Sequence, residues 1–233
     1  MSDNTATGLI VAAAIVGAAY WAYSKYVGQQ QGAAFNASFQ AAQGNTAGLL
    51  AGGNGGTSVL GTIQNAFSGV TSMVENTISS VPGSVSNPNV QAFLHLIREG
   101  EGTSGPDGYS MLFGGGHFAS FAHHPNVAVP FGNTYSTAAG AYQFLHSTWE
   151  QLKSQYGLPD FGPASQDVAA VGLLKQCGAL GDVKAGLFKS AIEKANKIWA
   201  SLPDSPYGQP TLTMADAGSI LAGQGVQINE AMA

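Results

Sequence analysis

Charge is the scarcest feature of this sequence. Asp, Glu, Lys and Arg make up 9% of its 233 residues, whereas soluble domains carry about 25%. Eight basic residues, none of them clustered, leave no electrostatic footprint for nucleic acid. One cysteine, Cys177, excludes an internal disulfide framework and a Cys-based zinc finger. The 32 glycines follow no three-residue period, which excludes a collagen-like chain. No basic stretch precedes the first apolar run, so a cleaved signal peptide would lack its n-region.

The few charges are unevenly placed. Residues 1–88 hold three (Asp3, Lys25 and Glu75), while residues 89–210 hold seven basic and nine acidic side chains. A break of that size, at the Pro82-Gly83 to Pro88 stretch, separates a charge-poor N-terminal half from a water-facing folded domain. Between Asp3 and Lys25 lie 21 uncharged residues, 4–24. As a helix they would be roughly 31 Å long, enough to cross a bilayer. Tyr20, Trp21, Tyr23 and Tyr26 gather at one end, as interfacial aromatics do. The expected organisation is a transmembrane helix over 1–27 and a Gly/Ala-rich linker over 28–88. The folded domain would come next, over 89–210, and then a tail over 211–233. Within the linker, Val59, Leu60, Ile63, Phe67, Val70, Met73, Val74 and Ile78 recur at helical steps. That stripe predicts an amphipathic helix packing on a partner, a membrane surface or another copy of itself.

The C-terminal half reads as α+β, mainly α. Helices are expected over 89–100, 138–156 and 163–177, with one or two more over 182–201. Tyr109–Phe113 and His117–Phe121, flanking Gly114-Gly115-Gly116, predict a small β-hairpin. His117, His123 and His124 are expected on its surface and not as metal ligands, because no zinc motif accompanies them. Cys177 reads as a small buried hydrophobe, and Trp149 and Trp199 as core.

Glu99 and Glu101 close the first of these helices. A carboxylate is disfavoured at a helix C-terminus, and burial would push its pKa up further, toward that of a general acid. Two solvated glutamates would look the same in sequence.

The segment Ile97-Arg98-Glu99-Gly100-Glu101-Gly102-Thr103 resembles the catalytic segment of the bacteriophage lambda endolysin family. The likeness runs on through Asp107-Gly108-Tyr109, Gly114-Gly115, His124-Pro125, Ala139-Gly140-Ala141-Tyr142-Gln143-Phe144 and Ser165-Gln166-Asp167. It closes with Gly178-Ala179-Leu180, Ile198-Trp199-Ala200-Ser201-Leu202-Pro203 and Tyr207-Gly208-Gln209. The segment after Thr103 is shorter than the family's.

The resemblance implies a lysozyme-like fold and a peptidoglycan lytic transglycosylase that needs no cofactor or metal. Glu101 falls on the catalytic position, with Glu99 as a surface neighbour. Tyr109, Gly140, Tyr142 and Gln143 would contact glycan strands. The competing reading makes Tyr142 core and Gln143 a backbone partner. If Asp107 faced Glu101 across the cleft, a hydrolytic muramidase would be the better reading. The expected setting is a virion membrane or an ejected virion component acting in the periplasm, with the 28–88 stripe against other virion proteins. The alternatives are a signal-anchor endolysin at the host inner membrane and a structural protein that only binds glycan.

Overall fold

The computed structural model describes residues 81–208 and 210–232. The expected membrane helix and the linker's amphipathic stripe lie outside them. Among the described residues no helix is long and apolar enough to cross a membrane.

Helix α1, Pro88–Gly100, starts where Asn87 accepts hydrogen bonds from the Asn89 and Val90 amides, with Pro88 in the first turn. Val90, Phe93, Leu94, Leu96 and Ile97 bury its inner face. Helix α2, His146–Tyr156, and α3, Pro163–Gln176, pack on each other and back the site. Helices α4, Leu180–Lys184, and α5, Phe188–Ala195, follow. The rings of Phe93 and Phe188 stack at 6.2 Å, which joins α1 to α5. Trp149 stands edge-on to Phe161 at 4.5 Å and is fully buried.

The sheet is not where the sequence places it. Residues 108–121 hold two short 3-10 turns, Gly108–Ser110 and Phe113–Gly115, and one isolated bridge between Met111 and His117. The two strands are β1, Val129–Phe131, and β2, Thr134–Ser136, paired antiparallel. Gly132-Asn133 between them is a two-residue hairpin turn. Three consecutive glycines give residues 114–116 too little side chain to hold a ladder.

The helix expected over 138–156 is also shorter, beginning only at His146. Ahead of it Ala139 and Phe144 exchange both backbone hydrogen bonds, at 3.0 and 2.9 Å, and close a tight turn over Gly140–Gln143. Gly140, at φ 79, makes that turn possible.

His124 is 5% exposed and does not sit on a surface. Its Nε2 donates to the Phe144 carbonyl at 2.8 Å and its Nδ1 accepts from the Asn126 amide at 3.1 Å, which satisfies a neutral imidazole. Burial pulls its pKa down to about 4.

Residues beyond 210 also fold. Helix α6, Met214–Gly223, opens with a capping box between Thr213 and Asp216 and buries Ala217 and Leu221 against the core. The last stretch then clasps the entry to α5. Asn229 binds the Gly186 and Ala185 carbonyls, and the Glu230 carboxylate accepts from the Ser190 amide and hydroxyl. An acidic group on the first turn of a helix meets unpaired amides and the positive end of the dipole.

Candidate active site

Glu101 caps the C-terminal end of α1. Gly102 follows in the left-handed region at φ 69, and the Thr103 amide reaches back to the Arg98 carbonyl at 2.8 Å. This is a glycine-terminated helix end, and it explains the Glu-Gly-Thr signature position by position. The glutamate caps the helix, the glycine reverses the chain, and the threonine anchors the outgoing strand of backbone. Thr103, 1% exposed, donates its hydroxyl to the Ala141 carbonyl at 2.6 Å and so ties the helix end to the 140–143 turn.

Gln166 braces that turn from α3. It is fully buried; its Oε1 accepts the Ala141 amide at 2.8 Å, and its Nε2 donates to the carbonyls of Tyr109 and Phe161 at 3.0 and 2.7 Å. A Cβ at Gly140 would lie 2.3 Å from Gln166 Oε1, so backbone and amide touch there.

The third wall is the segment after α5. Trp199, 3% exposed, donates from its indole to the Tyr142 carbonyl at 3.3 Å. Ser201 donates to Glu101 Oε1 at 2.7 Å.

Glu101 is half-buried, and its pKa is raised to about 7. The cause is burial, opposed in part by the Ser201 hydrogen bond, and no neighbouring carboxylate contributes. At neutral pH such a group exists both as acid and as carboxylate. Glu99 lies on the outer face of α1 with His95 Nε2 at 3.4 Å. Asp107 is exposed.

Three of the residues expected to touch glycan have polar partners within the protein. Tyr142 is 2% exposed, and its hydroxyl is committed to Asp167 Oδ1 at 2.6 Å. Half-buried Tyr109 shares the same oxygen at 2.8 Å, edge-on to Tyr142 at 6.4 Å and under the Arg98 guanidinium at 5.5 Å. Gln143, at φ 49, turns its amide back on the Gly140 carbonyl at 2.9 Å. Tyr142 thus takes the core reading and Gln143 the backbone-partner reading that the sequence left open, in the turn that Gly140 opens and that Thr103 ties to the end of α1. Ser201, Gln166 and Asp167 appear in the sequence only as parts of matching blocks. Their isolated side chains carry no signal of partners 25 to 100 residues away.

Among the described residues no three His, Cys, Asp or Glu side chains gather to hold a metal ion. Burial pushes the Cys177 thiol up to about 11, far from a reactive thiolate.

Residues 91–228 match the family model described as Endolysin. The endolysin of Escherichia phage lambda is 38% identical over 130 residues, covering 53% of this chain and 82% of that protein. The endolysin of Escherichia phage P2 is 37% identical over 137 residues, covering 52% of this chain and 83% of that protein. Among solved structures, bacteriophage lambda lysozyme complexed with a chitohexasaccharide aligns with a TM-score of 0.58 and 34% identity, over 61% of this chain and 97% of that one. A second lambda lysozyme structure aligns at 0.53 and 35%, over 60% and 93%. The fold is lysozyme-like, and the chain belongs to the endolysin family.

Proposed function

We propose that this protein is a peptidoglycan lytic transglycosylase in which Glu101 is the one catalytic carboxyl group. The observation that carries the reading is a glutamate poised near neutrality by burial, with no carboxylate among the described groups that shift it. The sugar chain bound by lambda lysozyme supports a glycan as substrate.

Glycosidases with water as acceptor use two carboxyl groups roughly 5–9.5 Å apart. A lone group favours an acceptor inside the substrate. Protonated Glu101 gives its proton to the bridging oxygen between N-acetylmuramic acid and N-acetylglucosamine as the C1–O bond breaks, and the bond pair leaves with that oxygen. The carboxylate then takes the proton of the muramoyl C6 hydroxyl as its oxygen bonds to C1. The products are a free sugar end and a 1,6-anhydro ring, with no water consumed. Holding the attacking hydroxyl on the same sugar supplies the proximity.

Mass spectrometry of digested muropeptides tests the reading. The expected terminal muramoyl mass is one water below the reducing sugar. A free reducing end would assign hydrolysis instead.

The missing basic stretch before the first apolar run and the long charge-poor segment 28–88 favour a virion-associated role in opening the cell wall, with residues 4–24 in a membrane. The names of the phage relatives favour host lysis as the second reading. Peptide mapping of purified particles is expected to find the chain. Its confinement to lysing cells would move it to the second.

A further inference from the structure

The Ser201 hydroxyl has one proton to donate, and it goes to Glu101 Oε1 at 2.7 Å. Ser201 is 8% exposed and firmly mounted. Its carbonyl accepts the Leu212 amide at 2.9 Å, and the next residue, Leu202, donates back to Trp199 at 3.1 Å. Gly100 leaves room for it. A Cβ on Gly100 would meet Ser201 Oγ at 2.8 Å and its Cβ at 3.1 Å, so the glycine that ends α1 is what lets the hydroxyl reach the carboxyl group. Glycine weakens a helix, and here the space it leaves is taken by the side chains of Ser201 and Leu212.

We infer that Ser201 is a positioning residue for Glu101, holding Oε1 so that Oε2 alone carries the proton to and from the sugar. The inference rests on Glu101 being the acid and base of the proposed reaction. A carboxyl group free to rotate exchanges its two oxygens and presents the wrong one part of the time. With Oε1 engaged, the oxygen that releases the proton to the bridging atom is also the one that recovers it from the C6 hydroxyl. The hydrogen bond strengthens when the carboxyl group becomes negative, so it also favours the species between the two transfers.

The test uses the full chain with Ser201→Ala, Ser201→Thr, Gly100→Ala and Glu101→Gln, assayed on purified peptidoglycan across pH. Ser201→Ala is expected to lower kcat about tenfold with KM unchanged. Because the hydrogen bond lowers the Glu101 pKa, its loss should also move the alkaline limb of kcat to higher pH. Ser201→Thr, which restores a hydroxyl, should recover most of the rate. Gly100→Ala, whose Cβ would overlap Ser201 Oγ and displace the hydroxyl, should shift the limb in the same direction. Carbon-13 NMR of the Glu101 carboxyl group should report the same upward move without reference to turnover.

Unchanged kcat and pH profile in Ser201→Ala would overturn the inference, as would a loss of rate with the limb and the NMR titration in place. If Glu101→Gln is inactive and Ser201→Ala behaves as the parent, the role of Ser201 alone is lost. If Glu101→Gln still cleaves, the reading of the reaction itself is lost.

Discussion

Glu101→Gln should lower peptidoglycan cleavage by about three orders of magnitude and, in alkaline buffer, leave a protein more stable than its parent. The rate falls because an amide has no proton to give to the leaving oxygen. The stability gain follows from linkage. The folded protein holds the Glu101 proton to about pH 7, while the unfolded chain releases it near 4.5. Between those values the folded state binds more protons, so its stability falls as pH rises. Above pH 7 the buried charge costs up to about 3 kcal/mol, which glutamine removes while still accepting from Ser201. Below the unfolded-state value both side chains are neutral and the advantage disappears.

His124 slopes the other way. Its pKa falls from 6.5 to about 4 on folding, so the unfolded state binds more protons in that interval and stability rises with pH. The two groups oppose each other through the weakly acidic range, and the parent should melt at nearly constant temperature there. Glu101→Gln removes one slope and exposes the other, so its melting temperature should drop on acidification. Thermal melts at several pH values check both statements. A variant that melts below the parent in alkaline buffer would mean that Glu101 is not held at a cost.

Gln166→Met should destabilise the domain by about 3–5 kcal/mol, because it strands one amide and two carbonyls in the interior. Methionine matches the shape and keeps the packing, so the loss reports the polar contacts rather than a cavity. Activity should fall further than stability explains, since the Ala141 amide bonded to Gln166 belongs to the turn against which the Glu101 end of α1 is locked. Urea unfolding and peptidoglycan turnover, measured on the same preparation, separate the two effects. A stability loss below about 1 kcal/mol would show that the turn holds itself.

Local signals carry part of this architecture. Asn87-Pro88 starts α1, Gly102 stops it, and Pro163 opens α3, so these elements are legible where chain chemistry and structure agree. The hairpin is misplaced in sequence because the glycine triplet at 114–116 looks like a turn between apolar runs, while the Gly132-Asn133 turn is flanked by strands of only three residues. The helix before His146 is overextended because Ala138–Phe144 has helical composition, but paired backbone bonds between Ala139 and Phe144 hold it in a turn. Thr213-x-x-Asp216 is a local capping signal for α6 that a boundary drawn at 210 overlooks. Glu101 is legible through a motif, and its raised pKa comes from burial. The supports are not: Ser201, Gln166 and Asp167 depend on side chains meeting across the fold, and no periodicity records that.

The Ser201–Glu101 contact spans 100 residues of chain. During synthesis the glutamate leaves the ribosome long before the segment that covers it. Until the chain folds and buries it, the side chain is a solvated acid, ionised at neutral pH. A chain in which Glu101 is not yet buried therefore holds it as a carboxylate at neutral pH, because the raised pKa is a product of folding.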